Sequence, residues 1–200
     1  VPTEIKAKMR RPTNPMAMTM AGLVAAFLSG NAPAQTPCTT LAIPVLRVDP
    51  PPSQYVRFCT DHPSECALTG AAVLPFNPAL IRLLSSVTAA VNSDIDLVPD
   101  PDRGIEEDWD LPHDCQGDCE DFALEKRHRL VQSGLPSASL TMAIVQHETR
   151  HFPHAVLLVE TDAGTWVLDN LSDTVMCWDA VPYHFDRREQ PGGQWLRFAP

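Results

Sequence analysis

The chain has 200 residues, 44% of them hydrophobic, which is enough for one compact domain with a real core. Its net charge of −10 at pH 7 makes nucleic acid and anionic membrane surfaces poor partners. Twenty prolines against nine glycines point to stiff connections rather than flexible linkers, and no internal repeat is present.

Residues 1–34 read as a secretory signal peptide. Lys6, Lys8, Arg10 and Arg11 form a basic opening, an apolar run from Met18 to Leu28 follows, and Ala32-Pro33-Ala34 offers small residues for cleavage. The run is too short to anchor the chain across a bilayer, and the competing reading is a buried core helix. Cleavage would leave a more acidic protein in the periplasm or outside the cell, with no membrane span. Six cysteines in an exported chain raise the question of disulfides. Cys59 and Cys66 flank the turn-like TDHPSE and make the best pair, against the alternative of two buried thiols. Cys38, Cys115 and Cys177 cannot be paired from sequence.

Residues 35–77 form a proline-rich N-terminal arm, extended over the surface at least to Pro52, and 78–200 form the main domain. From Pro78 to Ser93, apolar Leu80, Leu83, Leu84, Val87 and Val91 recur as on a helix with one buried stripe. The acidic stretch 94–116 has little periodicity and reads as a long loop. A second helix begins near Asp118. Cys119, Phe122, Ala123, Leu130 and Val131 share its buried face, while Glu125, Lys126, Arg127 and Arg129 point elsewhere. Asp118 is its expected N-cap, and Gly134-Leu135-Pro136 ends it. The β-rich runs 139–146, 154–161 and 165–171 then predict an antiparallel sheet, with Asp162-Ala163-Gly164 as a hairpin turn. Helices feeding such a sheet give an α+β fold.

Chemistry gathers at that helix start. Unpaired backbone N–H groups at a helix N-terminus stabilise a thiolate, so Cys119 is a candidate nucleophile. A nucleophilic thiol needs a base, and the base needs an orienting group. With a two- or four-residue hairpin turn, Val156 faces Asp169, and His154 becomes a diagonal neighbour of Asp169 on one sheet face. A three-residue turn without a bulge would put Asp169 on the other face. Helix cysteine, strand histidine and strand aspartate would then form a triad. The bland alternative is an inert buried thiol, a surface histidine and an aspartate in an ordinary turn. Trp109, Trp166 and Trp178 are candidate groove walls, with core packing the competing role.

The segment GDCEDFAL, with HAVLLVETDAGTWVLDN and the later RREQPGGQW, resembles the bacterial transglutaminase-like cysteine peptidase family of the papain/transglutaminase-like superfamily. The similarity runs from about Val91 to the C-terminus, and FCTDHPSEC resembles a cysteine pair of many members. The resemblance implies an exported thiol peptidase with Cys119 as nucleophile, His154 as general base and acid, and Asp169 orienting His154. It also implies a protein substrate, with a large cell-surface protein as the candidate, because one member cleaves a surface adhesin. In that member acids flanking the nucleophile bind calcium, which assigns Asp118 and Glu120 to a calcium site here. Hard oxygen ligands suit that ion, and Asp100, Asp102, Glu106, Glu107, Asp108 and Asp110 offer more of them. The competing reading has Asp118 as a helix cap and Glu120 and Asp121 as solvated first-turn acids. Two features depart from the family pattern: Pro153 stands where glycine often precedes the histidine, and Cys115 is an extra cysteine able to form a disulfide with Cys119.

Three further readings compete. One is a zinc or redox site from His113, Cys115, Cys119, His151 and His154, although Cys-x3-Cys beside carboxylates is a poor closed zinc site. Another is a non-enzymatic peptide-binding relative. The third is a transglutaminase, which forms the same acyl-enzyme and passes it to an amine.

Overall fold

The structure, a computed structural model, describes residues 38–104 and 106–200. The signal-peptide assignment of 1–34 lies outside the described residues. No helix among the described residues is long and apolar enough to cross a membrane.

Two helices and one sheet position everything that follows. Helix α3 (Pro78–Asp94) is capped by Asn77, whose side chain accepts from the Ala79 and Leu80 N–H groups, and it buries Leu80, Leu84, Val87 and Val91 as the spacing predicts. Helix α4 (Cys119–Gln132) packs beside it and ends before Gly134, as expected. Its buried set differs from the expectation. Lys126 and Arg127 do not point to solvent: they are 0% and 1% exposed. A helix covered on several sides hides more than one apolar stripe, and here two long cations fill the second contact.

The sheet has seven strands in the order β1-β9-β8-β4-β5-β6-β7, all paired antiparallel. Their ranges are β1 Val45–Asp49, β4 Leu140–His147, β5 Pro153–Thr161, β6 Gly164–Leu168, β7 Met176–Cys177, β8 Tyr183–Glu189 and β9 Trp195–Phe198. The short β2 (Asp96–Leu97) and β3 (Gln116–Gly117) pair separately. Alternate residues of β4 and β5 serve two cores. Leu140, Met142, Leu157 and Val159 join the core under α3 and α4. Ala143, Val145, Val156 and Leu158 form a second cluster with Val167, Phe185 and Phe198. Burial on both faces explains why these strands read as continuous apolar runs.

The β5–β6 register is the one that the site requires. Leu157 pairs with Leu168 and Thr161 with Gly164, leaving Asp162-Ala163 as a two-residue turn. Gly164 has φ +105°, and a Cβ there would stand 2.3 Å from the Cys38 carbonyl oxygen.

Residues 38–77 are integrated into the domain. Helices α1 (Ser53–Asp61) and α2 (Pro63–Cys66) follow β1, and Tyr55 and Phe58 lie in the main core. Cys59 pairs with Cys66, and Cys38 pairs with Cys177 across 139 residues. Cys115 and Cys119 are both free thiols, so no disulfide links them. Trp109 and Trp166 are core residues rather than groove walls, and Trp178 packs edge-on against Phe185.

Candidate active site

Cys119 is the first residue of α4, after Asp118 in an extended N-cap conformation. The turn before it is built around a close approach. A Cβ on Gly117 would meet Asp121 Cβ and Oδ2 at 2.8 Å, so only glycine lets the Asp121 carboxylate fold back there. That carboxylate accepts from the Asp118 N–H at 3.3 Å and from the Asp110 N–H at 2.9 Å. Asp121 therefore pins the acidic loop to the helix start and is 2% exposed. The solvated first-turn reading of Glu120 and Asp121 fails, because Glu120 is buried as well.

The thiol is held in an anionic pocket. Cys119 Sγ donates to Glu120 Oε2 at 3.1 Å. Burial pushes the Cys119 thiol well above its usual range, and the charges of Glu120 and Asp118 add to the rise. The backbone N–H of Ala155, at the start of β5, acts against the rise. Burial likewise drives Glu120 up to about 10 and Asp121 to about 8, with Asp118 as an adjacent like charge for both.

His154 sits on β5 directly before Ala155. Its Nε2 is 2.8 Å from Asp169 Oδ1, and both side chains are 3% exposed. This bond occupies Nε2 and leaves Nδ1 as the ring nitrogen available to a reacting group. Asp169 follows β6 and also accepts from the Leu171 N–H at 3.0 Å and from the Tyr183 hydroxyl. Burial alone would raise the Asp169 carboxyl, but the bond and charge from His154 and the bond from Tyr183 outweigh it and hold the group low. Tyr183, on β8, was not among the sequence candidates. Its ring also packs against His154 and His147, with centroids 5.5 and 5.6 Å away.

The acids beside the thiol fit a cation. Ligand atoms of Asp118, Cys119 and Glu120 lie within 4.8 Å of one another, the only such grouping of three among the described residues. The five ligands of the zinc alternative are not brought together. Asp118 Oδ1, Glu120 Oε1 and Asp100 Oδ1 are buried with no hydrogen-bond partner among the described residues. Asp100 comes from the acidic loop and is 0% exposed, and its charge acts directly on Asp118. Among the described residues Asp100 Oδ1 has only the Arg103 guanidinium as an ion-pair partner, at 3.7 Å, and buried carboxylate oxygens without hydrogen bonds are the donor set that a hard divalent ion satisfies.

A family model described as bacterial transglutaminase-like cysteine proteinase, BTLCP, matches residues 46–199. Among solved structures, Legionella pneumophila LapG is similar at 28% identity and a TM-score of 0.52, over 61% of this chain and 71% of that one. A calcium-bound form of LapG matches at 25% identity and a TM-score of 0.52, over 73% of this chain and 81% of that one. An EGTA-treated form matches at 26% identity with the same TM-score, over 62% and 70% of the two chains. No functionally curated protein matches. With the model spanning most of the chain and an α+β fold shared with LapG, the protein belongs to the bacterial transglutaminase-like cysteine proteinase family and is a cysteine peptidase.

Proposed function

We propose that this peptidase is exported and hydrolyses a peptide bond in a protein substrate through Cys119, His154 and Asp169. The observation that carries the reading is the buried His154 Nε2 to Asp169 Oδ1 bond of 2.8 Å. It fixes the ring so that Nδ1 is free, one residue before Ala155, whose backbone N–H lowers the pKa of the Cys119 thiol. The thiolate attacks the scissile carbonyl, and His154 Nδ1–H protonates the departing amine, leaving an acyl-enzyme. Water then attacks the thioester carbonyl with Nδ1 taking its proton, and the thiolate departs. Backbone N–H groups at the α4 N-terminus are placed to stabilise the oxyanion of both steps. Asp169 orients the imidazole and supports its cationic form, and Tyr183 holds Asp169.

Calcium is the cation proposed for Asp118, Glu120 and Asp100, and the buried carboxylate oxygens of all three that lack a hydrogen bond support it. When bound, it supplies positive charge that offsets the carboxylates crowding the thiol. Two disulfides support an oxidising compartment, hence the periplasm or the exterior. A large cell-surface protein is the proposed substrate.

The test is cleavage of a large exported protein by wild type and by Cys119→Ala, with and without EGTA. Cleavage by the wild type alone is expected. Equal behaviour of the two proteins on every candidate substrate overturns the reading. Adding a primary amine separates hydrolysis from acyl transfer, since only a transglutaminase would incorporate it into the substrate.

A further inference from the structure

The turn that carries Asp169 lies just beyond the sheet. The β5–β6 ladder stops at Leu157 and Leu168, and the chain rejoins the sheet only at Met176. Three hydrogen bonds tie the Asp169 carboxylate, from His154, the Leu171 N–H and Tyr183. Strand pairing does nothing for the main chain from which that carboxylate projects. A turn left loose there would set its conformational entropy against the aim of the side chain.

Helix α3 supplies the missing tie. Asn92 Nδ2 donates to the Asp169 carbonyl at 3.0 Å and to Asp173 Oδ1 at 2.9 Å, with the Ser172 carbonyl at 3.3 Å. One amide thus spans the start of the turn, across 77 to 81 residues of sequence. All three partners are acceptors, so the amide can only present its NH2 to them, and an oxygen there would face three others. Asn92 Oδ1 is buried with no hydrogen-bond partner among the described residues. A stranded buried acceptor is a cost to stability. What the side chain provides is therefore the hold of its NH2 on the turn.

We propose that Asn92 is a positioning residue for the peptidase reaction, locking the Asp169 main chain so that the carboxylate meets His154 Nε2. The proposal rests on the triad reading above. Asp169 keeps the imidazole in the orientation that leaves Nδ1 to the reacting group. Displacing such a group by about 1 Å costs about 10²-fold in rate. Among the described residues Asn92 makes no hydrogen bond to Cys119 or His154, so it acts through Asp169.

The test compares wild type with Asn92→Asp, which keeps the shape and removes the donated hydrogens, and with Asn92→Ala, all at fixed calcium. Two variants keep the test informative when one fails to fold. In a Cys119→Ala background, the proton NMR resonance of the His154 N–H held by Asp169 is expected to move upfield or to be lost to exchange with water. In the active enzyme, on the exported protein that wild type cleaves, kcat is expected to fall about tenfold or more with KM nearly unchanged. An unchanged resonance or an unchanged kcat in a folded variant overturns the proposal, because a merely structural amide alters stability alone. Asp169→Ala is the control. A loss of kcat there with full kcat in Asn92→Ala leaves the triad standing and removes only the role of Asn92. Full kcat in both overturns the triad reading itself.

Discussion

Cys119 Sγ lies 3.1 Å from Glu120 Oε2, so the proposed nucleophile and a proposed cation ligand share one hydrogen bond. A carboxylate that accepts the thiol proton keeps the sulfur protonated. A cation drawing on that carboxylate competes for the same lone pairs. Calcium is therefore expected to speed alkylation of Cys119 by iodoacetamide at fixed pH, with EGTA reversing the effect. Glu120→Gln should abolish the calcium dependence. Equal alkylation rates with calcium and with EGTA would remove the cation from the account of the thiol.

The same acids set a pH dependence of stability. Burial raises Glu120 to about 10 and Asp121 to about 8 in the folded state, above their values of 4.5 and 3.8 in the unfolded chain. The folded protein then binds more protons than the unfolded one, so stability falls as pH rises between the two sets of values. Metal-free protein is expected to show a melting temperature that declines from about pH 4–5 upward through pH 8, beyond any decline of the calcium-loaded form. Saturating calcium should flatten the slope, and about 100-fold excess over its Kd adds about 2.7 kcal/mol. Thermal melts across pH with calcium and with EGTA measure both effects.

Tyr183 donates its hydroxyl to the carboxylate that also holds His154. Tyr183→Phe removes one charge-assisted hydrogen bond and keeps the ring packing, a change of about 1.5–3 kcal/mol where the bond matters fully. The expected result is a fall in kcat of about tenfold or more with KM nearly unchanged, because the hydroxyl is engaged by Asp169. A change confined to KM would place Tyr183 in substrate binding instead.

Local pattern made some of this legible and long-range contact hid the rest. GDCEDFAL carried its own helix start, because a cap and a first turn are set within a few residues. The register that the triad needs depended only on an even hairpin turn, and the turn is Asp162-Ala163, with Leu157 opposite Leu168 just before Asp169. Tyr183 was invisible because β8 reaches the site by pairing with β4, about 40 residues earlier in the chain. Cys38 had no partner in sequence for the same reason: its segment is laid along β6, where the Thr165 N–H donates to the Thr39 carbonyl at 3.0 Å. Residue type alone places Lys126 and Arg127 off the apolar face of α4. Only the tertiary partners of α4 bury them.

Arg127 shows what that burial is worth. Its Nη1 lies 2.8 Å from Glu189 Oε2, and the same carboxylate accepts from the Met142 N–H at 3.0 Å and from the Tyr55 hydroxyl. The cluster ties α1, α4, β4 and β8 together, and its ion pair is 1–2% exposed. Removing one partner strands a buried charge, at a cost of about 3–5 kcal/mol. Glu189→Ala or Arg127→Ala should each show that loss in urea unfolding. The double variant Arg127→Met with Glu189→Leu should recover a large part of it, whereas additive losses would argue against a coupled pair.

The two disulfides separate by loop length. Cys38–Cys177 closes 139 residues of sequence and Cys59–Cys66 closes seven. In the chain-entropy account, the longer loop restricts the unfolded chain by about 5 kcal/mol and the shorter by about 2–3 kcal/mol. Replacing Cys38 and Cys177 by serine also frees the segment that covers Gly164. The larger loss of stability is therefore expected from that pair, measured as the shift in denaturant midpoint at constant m-value. Peptidase activity of the folded Cys38→Ser/Cys177→Ser protein should survive, because neither cysteine touches Cys119, His154 or Asp169. Equal stability losses from the two pairs would show that native contacts, rather than loop closure, set what each bridge contributes.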